Sequence, residues 1–361
     1  MNHVNMRLLI AGIPYGHILP ESVLNALVWN GQHGVQIFFA VSGFLITSTS
    51  LHRWGSPAGF RPREFYVLRV ARIAPLLLLL LLVLVILHFT QSHWFHVSAK
   101  TGGVGRALIA ALTFHINVLE AQRGYLPGNW DILWSLSVEE TFYLVFPLVF
   151  LWLGRSRWLL ILLLTLVVIT GPFARTVLAK GNEVWMEYSY LGGMDAIALG
   201  CLTALMMPRL RFTQTGLVLT QLIGVTLIAF ILGFSEAARG LGLTGVGLDM
   251  TLIAVGACLV IAAVAYSSPR LPAAFAPLQW LGRRSYEIYM THMFVVIGFF
   301  VAFTAIGSPH GGIYAMFAIV IVVAAATGEL VARCYSEPMN RYLRNMFGER
   351  STTLKSDRLP A

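Results

Sequence analysis

Two adjacent carboxylates, Glu139 and Glu140, stand in "NWDILWSLSVEETFYLVFP" (129–147) at the head of an apolar run. An ionisable side chain in such a run is costly to bury unless it turns inward to a polar partner, so each is a candidate for chemistry. At 100° per residue Ser135, Glu139 and Tyr143 share a helix face with Phe142 and Phe146, and Glu140 points away from it. The pattern predicts Glu139 inside a helix bundle and Glu140 nearer a loop or interface. Favourable placement at a helix N-terminus is the simpler alternative for both carboxylates.

In "REFYVLRVARIAP" (63–75) Arg69 and Arg72 are three residues apart and lie on one helix face. The planar fork of arginine suits phosphate, and the same pair would also serve as an ordinary charge anchor beneath a membrane span. In "LGRRSYEIYMTHMFVV" (281–296) Ser285, Tyr289 and His292 share a face, with His292 about two turns into an apolar stretch. Such a histidine is either a satisfied core residue or a proton-transfer group. Asp195 and Glu329, single carboxylates in apolar stretches, read as structural partners for arginines. His33, His88, His93, His96 and His310 fall at the ends of runs or in loops. In "GVQIFFAVSGFLITSTSL" (34–51) Ser42 and Gly43 interrupt an aromatic and aliphatic run at its middle.

The elements that position these residues are membrane helices. Of 361 residues 57% are hydrophobic and 11% charged, with mean hydropathy +0.74. A soluble domain needs about a quarter charged residues, so a large soluble enzyme is excluded. The fold class is an all-α polytopic membrane protein. Its candidate spans are 34–51, 73–90, 136–154, 158–178, 191–207, 215–234, 248–267, 286–306 and 313–335, each near the length a bilayer requires. The net charge of +9 belongs to short loops that set topology, not to nucleic-acid binding. The three cysteines show neither a zinc spacing nor a disulfide framework and read as packing residues; no metal site is expected.

Arg53, Arg61, Arg63, Arg69 and Arg72 make one basic region, and Arg155 with Arg157, Arg209 with Arg211, and Arg270 with Arg283 and Arg284 make three more. With a basic C-terminal tail, all five fall on one side, the cytoplasmic side, only if the shorter apolar stretch 105–119 does not cross. That stretch is therefore read as a short re-entrant or surface helix beside nine spans. An outward N-terminus follows, without a cleavable signal peptide, and the count asks for one more helix before Met1. Residues 1–339 read as one integral-membrane domain and 340–361 as a disordered basic cytoplasmic tail.

Taken in order, "GVQIFFAVSGFLIT", "FYVLRVARIAP", "WSLSVEETFYLVFP", "MDAIALGCLTAL", "LGRRSYEIYMTH" and "YSEPMNRYL" resemble the landmarks of the membrane acyltransferase-3 family. That family comprises ten-span transferases that O-acylate carbohydrates and other acceptors. The resemblance runs from residue 34 to about 345. It implies that Arg69 and Arg72 receive the phosphates of acyl-CoA, and that Ser42, Gly43, Trp134, Ser135, Tyr143, Tyr289 and His292 line the substrate cavity. The close backbone approach that Ser42 and Gly43 permit is equally a plain helix-packing notch. The family's first helix carries an arginine, ten residues, then a histidine implicated in catalysis. His3 in "MNHVN" matches that histidine, with the arginine falling before Met1. Arg7 and His17 offer a nine-residue alternative, against which Pro14 and the short apolar run argue.

The function this implies is membrane O-acetylation, in a bacterial inner membrane. An acyl group, in the first instance acetyl, would pass from cytoplasmic acyl-CoA, a co-substrate with no further cofactor, to a carbohydrate acceptor. Exopolysaccharide, lipopolysaccharide or a related cell-surface glycan would serve. His3 would act as general base and Glu139 would orient it or support the tetrahedral intermediate. A covalent acyl-histidine is an open alternative. The rival readings are a membrane transporter, since intramembrane carboxylates also mark substrate pathways, and a catalytically impaired paralogue lacking the first helix.

Overall fold

The computed structural model describes residues 1–15, 19–267 and 272–347; His17, Arg270 and the chain beyond 347 lie outside them. Nine helical stretches among these residues are long and apolar enough to cross a membrane, from Gly31–Trp54 to Ile313–Met346. The helices that matter here are α1 (Asn2–Ile10), α2 (Gly31–Trp54), α3 (Pro62–His88), α4 (Gly103–Leu112), α5 (Ile116–Arg123), α6 (Leu133–Leu153), α7 (Arg157–Phe173), α8 (Tyr190–Met206), α9 (Gln214–Gly233), α10 (Leu248–Ser267), α11 (Ser285–Ala305), α12 (Ile313–Val331) and α13 (Glu337–Met346).

Each expected span is present within a few residues, with one informative extension. The span expected from residue 73 begins at Pro62, so Arg63, Arg69 and Arg72 are helical and not loop residues. Proline suits the first helical turn, where its missing N–H is not needed, and Arg61 pairs with Glu64 at 2.8 Å to anchor the start. The stretch 105–119 is two short helices, α4 and α5, broken where Phe114 takes φ 55°. At 1.5 Å per residue each is about 15 Å or less, half of what a bilayer core requires.

Residues 340–346, expected within a disordered tail, instead belong to α13, which packs against α3. Arg284 pairs with Glu337 at its first turn, and Tyr335 donates to the Pro75 carbonyl at 3.2 Å.

Small residues set the closest helix crossings. A Cβ on Gly43 would lie 2.0 Å from the Ile197 carbonyl oxygen of α8, and one on Gly200 would lie 2.1 Å from the Ala40 carbonyl of α2. The two helices therefore touch backbone to backbone, which is how membrane helices without a hydrophobic driving force gain packing contact. Gly43, expected to line the cavity, is a packing notch. Cys201 sits in the same seam, with Sγ 3.5 Å from the Gly43 carbonyl.

Candidate active site

Ser42 lies at the middle of α2 and turns toward α6, about 100° around the helix from the Gly43 notch. There the hydroxyls of Ser42 and Tyr143 both reach Oε1 of Glu139 and touch each other. All three residues are buried. Glu139 and Tyr143 are one turn apart on α6, so the helix itself sets their alignment. The guanidinium carbon of Arg69 stands 4.2 Å from the centre of the Tyr143 ring, a cation–π contact that fixes the arginine without consuming its hydrogen-bond donors. Arg72 is exposed and lies within electrostatic reach of Tyr286 on α11.

One turn back along α6, the Ser135 hydroxyl meets the Tyr289 hydroxyl at 2.5 Å, and Tyr289 donates to the Ile132 carbonyl at 2.7 Å. His292 follows Tyr289 on α11, and its Nδ1 lies 2.6 Å from the Tyr289 carbonyl oxygen. A carbonyl only accepts, so Nδ1 carries the proton in the neutral ring and Nε2 holds the lone pair. The rings of His3 and His292 are 5.2 Å apart. The polar groups thus form a track from Arg69 through Tyr143, Glu139, Ser42, Ser135 and Tyr289 to the two imidazoles. Between Tyr143 and Ser135 it follows α6 for about 12 Å.

The structure divides the expected residues into two groups. Ser42, Glu139, Tyr143 and Arg69 meet directly, while Ser135, Tyr289, His292 and His3 form a second group that begins one turn back along α6. Glu139 is not among the charged groups acting on His3, whose neighbours are His292, the N-terminal amine and Arg7. Trp134 stacks on Tyr188 at 4.2 Å and meets Phe39 edge-on at 6.2 Å, so it forms part of the wall. Asp195 and Glu329 pair with arginines, Arg175 at 2.8 Å and Arg284 at 2.5 Å. Among the described residues no cluster of three or more His, Cys, Asp or Glu is arranged to hold a metal ion.

Glu140, expected nearer a loop or interface, lies where α6 meets the α3–α11 pair. Its Oε1 is buried without a hydrogen-bond partner, and Arg69, Glu139 and Tyr286 act on it electrostatically, so it faces polar groups and not a loop. A deviation from the 100° wheel is not required. Glu139 and Glu140 are flanked on both sides, by α2 and by the α3–α11 pair.

Sequence reasoning missed a second carboxyl pair, Asp131 and Glu120, linked to α1 through Arg7. Asp131 accepts a hydrogen bond from Tyr188 at 3.2 Å and faces Arg7, whose guanidinium carbon lies 5.1 Å from the Trp94 ring centre. Burial, and then the neighbouring Asp131 carboxylate, push the Glu120 carboxyl well above its ordinary 4.5. Glu120 Oε1 accepts from the Leu126 backbone N–H at 3.0 Å, and Oε2 is buried without a hydrogen-bond partner. A signal was available. Asp131, Ser135, Glu139 and Tyr143 recur every four residues, so extending the polar face one turn reaches Asp131.

An all-α bundle with a polar track of carboxylate, hydroxyl and imidazole groups through its interior defines a polytopic membrane protein built for polar chemistry among its helices. The particular family follows from comparison: residues 3–329 match the family described as an acyltransferase domain, and the chain belongs to that acyltransferase-3 family. It is 28% identical over 284 residues to the "Peptidoglycan O-acetyltransferase OatA" of Listeria monocytogenes, covering 73% of this chain and 44% of that protein. It is 26% identical over 301 residues to the "Putative peptidoglycan O-acetyltransferase YrhL" of Bacillus subtilis, covering 74% and 44%. The chain therefore spans less than half the length of these relatives. No solved structure matches it.

Proposed function

We propose that the chain is a membrane O-acyltransferase that moves an acetyl group from acyl-CoA on the basic-loop, cytoplasmic side to a hydroxyl of a cell-surface carbohydrate. The observation that carries the reading is the pair of polar clusters along α6, one around Arg69 and Glu139 and one reaching the His3–His292 pair. Together they place a cation suited to phosphate and groups suited to proton transfer within an otherwise apolar bundle. Family membership and relatives named for peptidoglycan O-acetylation support it.

In this mechanism Arg69 and Arg72 hold the phosphates of the donor, its arm passes the Glu139 cluster, and the thioester reaches the His3 end of the track. The acceptor oxygen attacks the thioester carbonyl while its proton passes to the His3 imidazole as general base. Collapse of the tetrahedral intermediate breaks the C–S bond, and the departing sulfur takes the proton. Glu139 fixes the Ser42 and Tyr143 hydroxyls on the donor's side of the track. His292, its tautomer set by the Tyr289 carbonyl, presents Nε2 and holds the ring of His3 in place.

Donor binding is tested with Arg69→Ala and Arg72→Ala together. The double variant should raise the KM for acetyl-CoA by tenfold or more and leave the KM for the acceptor unchanged. Unchanged donor KM, or solute flux without acyl transfer, would overturn the reading.

A further inference from the structure

Between α12 and the short helix Ala276–Arg283 runs a groove that is apolar along its length and ends in arginine. Its volume is about 660 Å³. Its walls are Trp280 and Leu281 of the short helix and the outer face of α12, from Ile321 and Val322 to Leu330. Val322 and Leu330 are 67% and 63% exposed, so no described residue covers that face. The short helix contributes no buried residue and leaves Leu278 exposed. In the chain it lies between α10 and α11, in the basic region of Arg283 and Arg284, so it rests on the membrane surface and does not cross.

Position in the bilayer limits what the groove can hold. The 19 residues of α12 rise about 28 Å, against a hydrocarbon core of about 30 Å. Ile321 and Val322 therefore sit near the midplane, and Glu329 to Arg333 sit at the headgroup level. The groove thus has the depth of one leaflet, the space a single phospholipid chain takes. Trp280 marks the interface, as tryptophan does, and donates its indole N–H to Glu329 at 3.0 Å. Glu329 also pairs with Arg284 at 2.5 Å and with Arg333, while Arg284 pairs with Glu337. Both carboxylates are compensated in this way. Among the described residues Arg333 uses only its Nε, and its side chain is 71% exposed; Arg283, one turn beyond Trp280, is exposed as well. The mouth of an apolar groove therefore keeps unspent guanidinium donors, which suit a phosphate.

We infer that this groove binds an anionic phospholipid of the leaflet on the basic-loop side, with one acyl chain along α12 and the phosphate at Arg333, flanked by Arg283. Each half of the site asks for a different part of that molecule. A neutral hydrocarbon would leave the arginines unmatched, and a soluble phosphate would leave the apolar wall bare. A lipid with a net negative headgroup satisfies both, because basic side chains at a membrane surface attract anionic lipid.

The test uses the purified, delipidated full chain in neutral detergent. It is titrated with dioleoyl phosphatidylglycerol or dioleoyl phosphatidylcholine, which share their chains and differ in headgroup charge, and bound lipid is counted by native mass spectrometry. The wild type should hold one phosphatidylglycerol about tenfold or more tighter than phosphatidylcholine. Arg283→Gln with Arg333→Gln should remove that preference, at about fivefold for each arginine. Glu329 keeps Arg284 and Trp280 in this variant, so its melting temperature without lipid should not move. Ala326→Phe, which fills the groove from an exposed position, should weaken both lipids alike. Equal affinity of the wild type for the two lipids, or phosphatidylglycerol binding unchanged in either variant, would overturn the inference. Displacement of the lipid by glycerol 3-phosphate alone would show a free-anion site and would overturn it too.

Discussion

Around Arg175 the polar groups are closed on one another, whereas around Arg69 they are left open. Arg175, at the π-helical turn that follows α7, donates to the carbonyls of Gly247 and Gly192, to Thr251 and to Asp195. Asp195 in turn accepts from Thr251 at 2.6 Å and from the Ala196 backbone at 2.7 Å. Arg175 is 3% exposed and Asp195 is 0% exposed, so this ion pair ties α7, α8 and α10 together without water. Arg69 rests on a ring, Glu140 has an unpartnered oxygen, and the Glu139 cluster is held by two hydroxyls and no cation. A buried carboxylate is common to both regions. What separates scaffold from site is whether the protein alone completes the hydrogen bonds.

That contrast is open to attack by mutation, beginning with the largest effect. Arg175→Met strands the Asp195 carboxylate and should lower stability by about 3–5 kcal/mol in thermal unfolding. The fraction that remains folded should keep its donor KM. A raised donor KM with unchanged stability would erase the distinction between the two regions.

Gly43→Ala places a methyl group against the Ile197 carbonyl and should cost about 1–3 kcal/mol through overpacking. Its neighbour Ser42 should behave oppositely: Ser42→Ala should lower kcat/KM for transfer by about tenfold while the unfolding midpoint hardly moves, since one hydrogen bond to a carboxylate is lost. Equal stability losses at the two positions would count against assigning one to packing and the other to the site.

The smallest expected effect is a pH slope at the Asp131–Glu120 carboxyl pair. Glu120 is raised above its unfolded value of 4.5, so the folded protein holds that proton more tightly than the unfolded chain. The stability tied to it is fully present below about 4.5 and is lost as pH rises toward the folded value. Glu120→Gln should flatten the decline of melting temperature as pH rises above about 4.5. A slope equal to that of the wild type would show that the proton is not held there.

The apolar runs located the spans because bilayer length and loop charge constrain a membrane helix strongly, as the match of 248–267 to α10 illustrates. The arginines hid the start of α3. A hydropathy pattern ends at Arg72, although an arginine on a cation–π ring is as helical as its neighbours. The i, i+4 ladder made Ser135, Glu139 and Tyr143 legible, because one helix sets their spacing. The environment of Glu140 was not legible, since α6 meets different helices on different sides and only the packing reveals which face is polar. Gly43 shows the same limit: whether a glycine admits a substrate or another backbone depends on what lies 2.0 Å from its missing Cβ.

The central claim is that acyl transfer runs along the track from the Glu139 cluster to His3. It is tested most directly by the transfer of labelled acetyl groups from acetyl-CoA to cell-surface glycan, with wild type, His3→Ala and Glu139→Gln compared at equal amounts of folded protein. Loss of a positioned general base typically lowers the rate by about 10²–10⁴, and His3→Ala should fall in that range. Glu139→Gln preserves shape while removing the charge that holds Ser42 and Tyr143, and it should also fall by at least tenfold with little change in melting temperature. Full transfer activity in both variants would contradict the account.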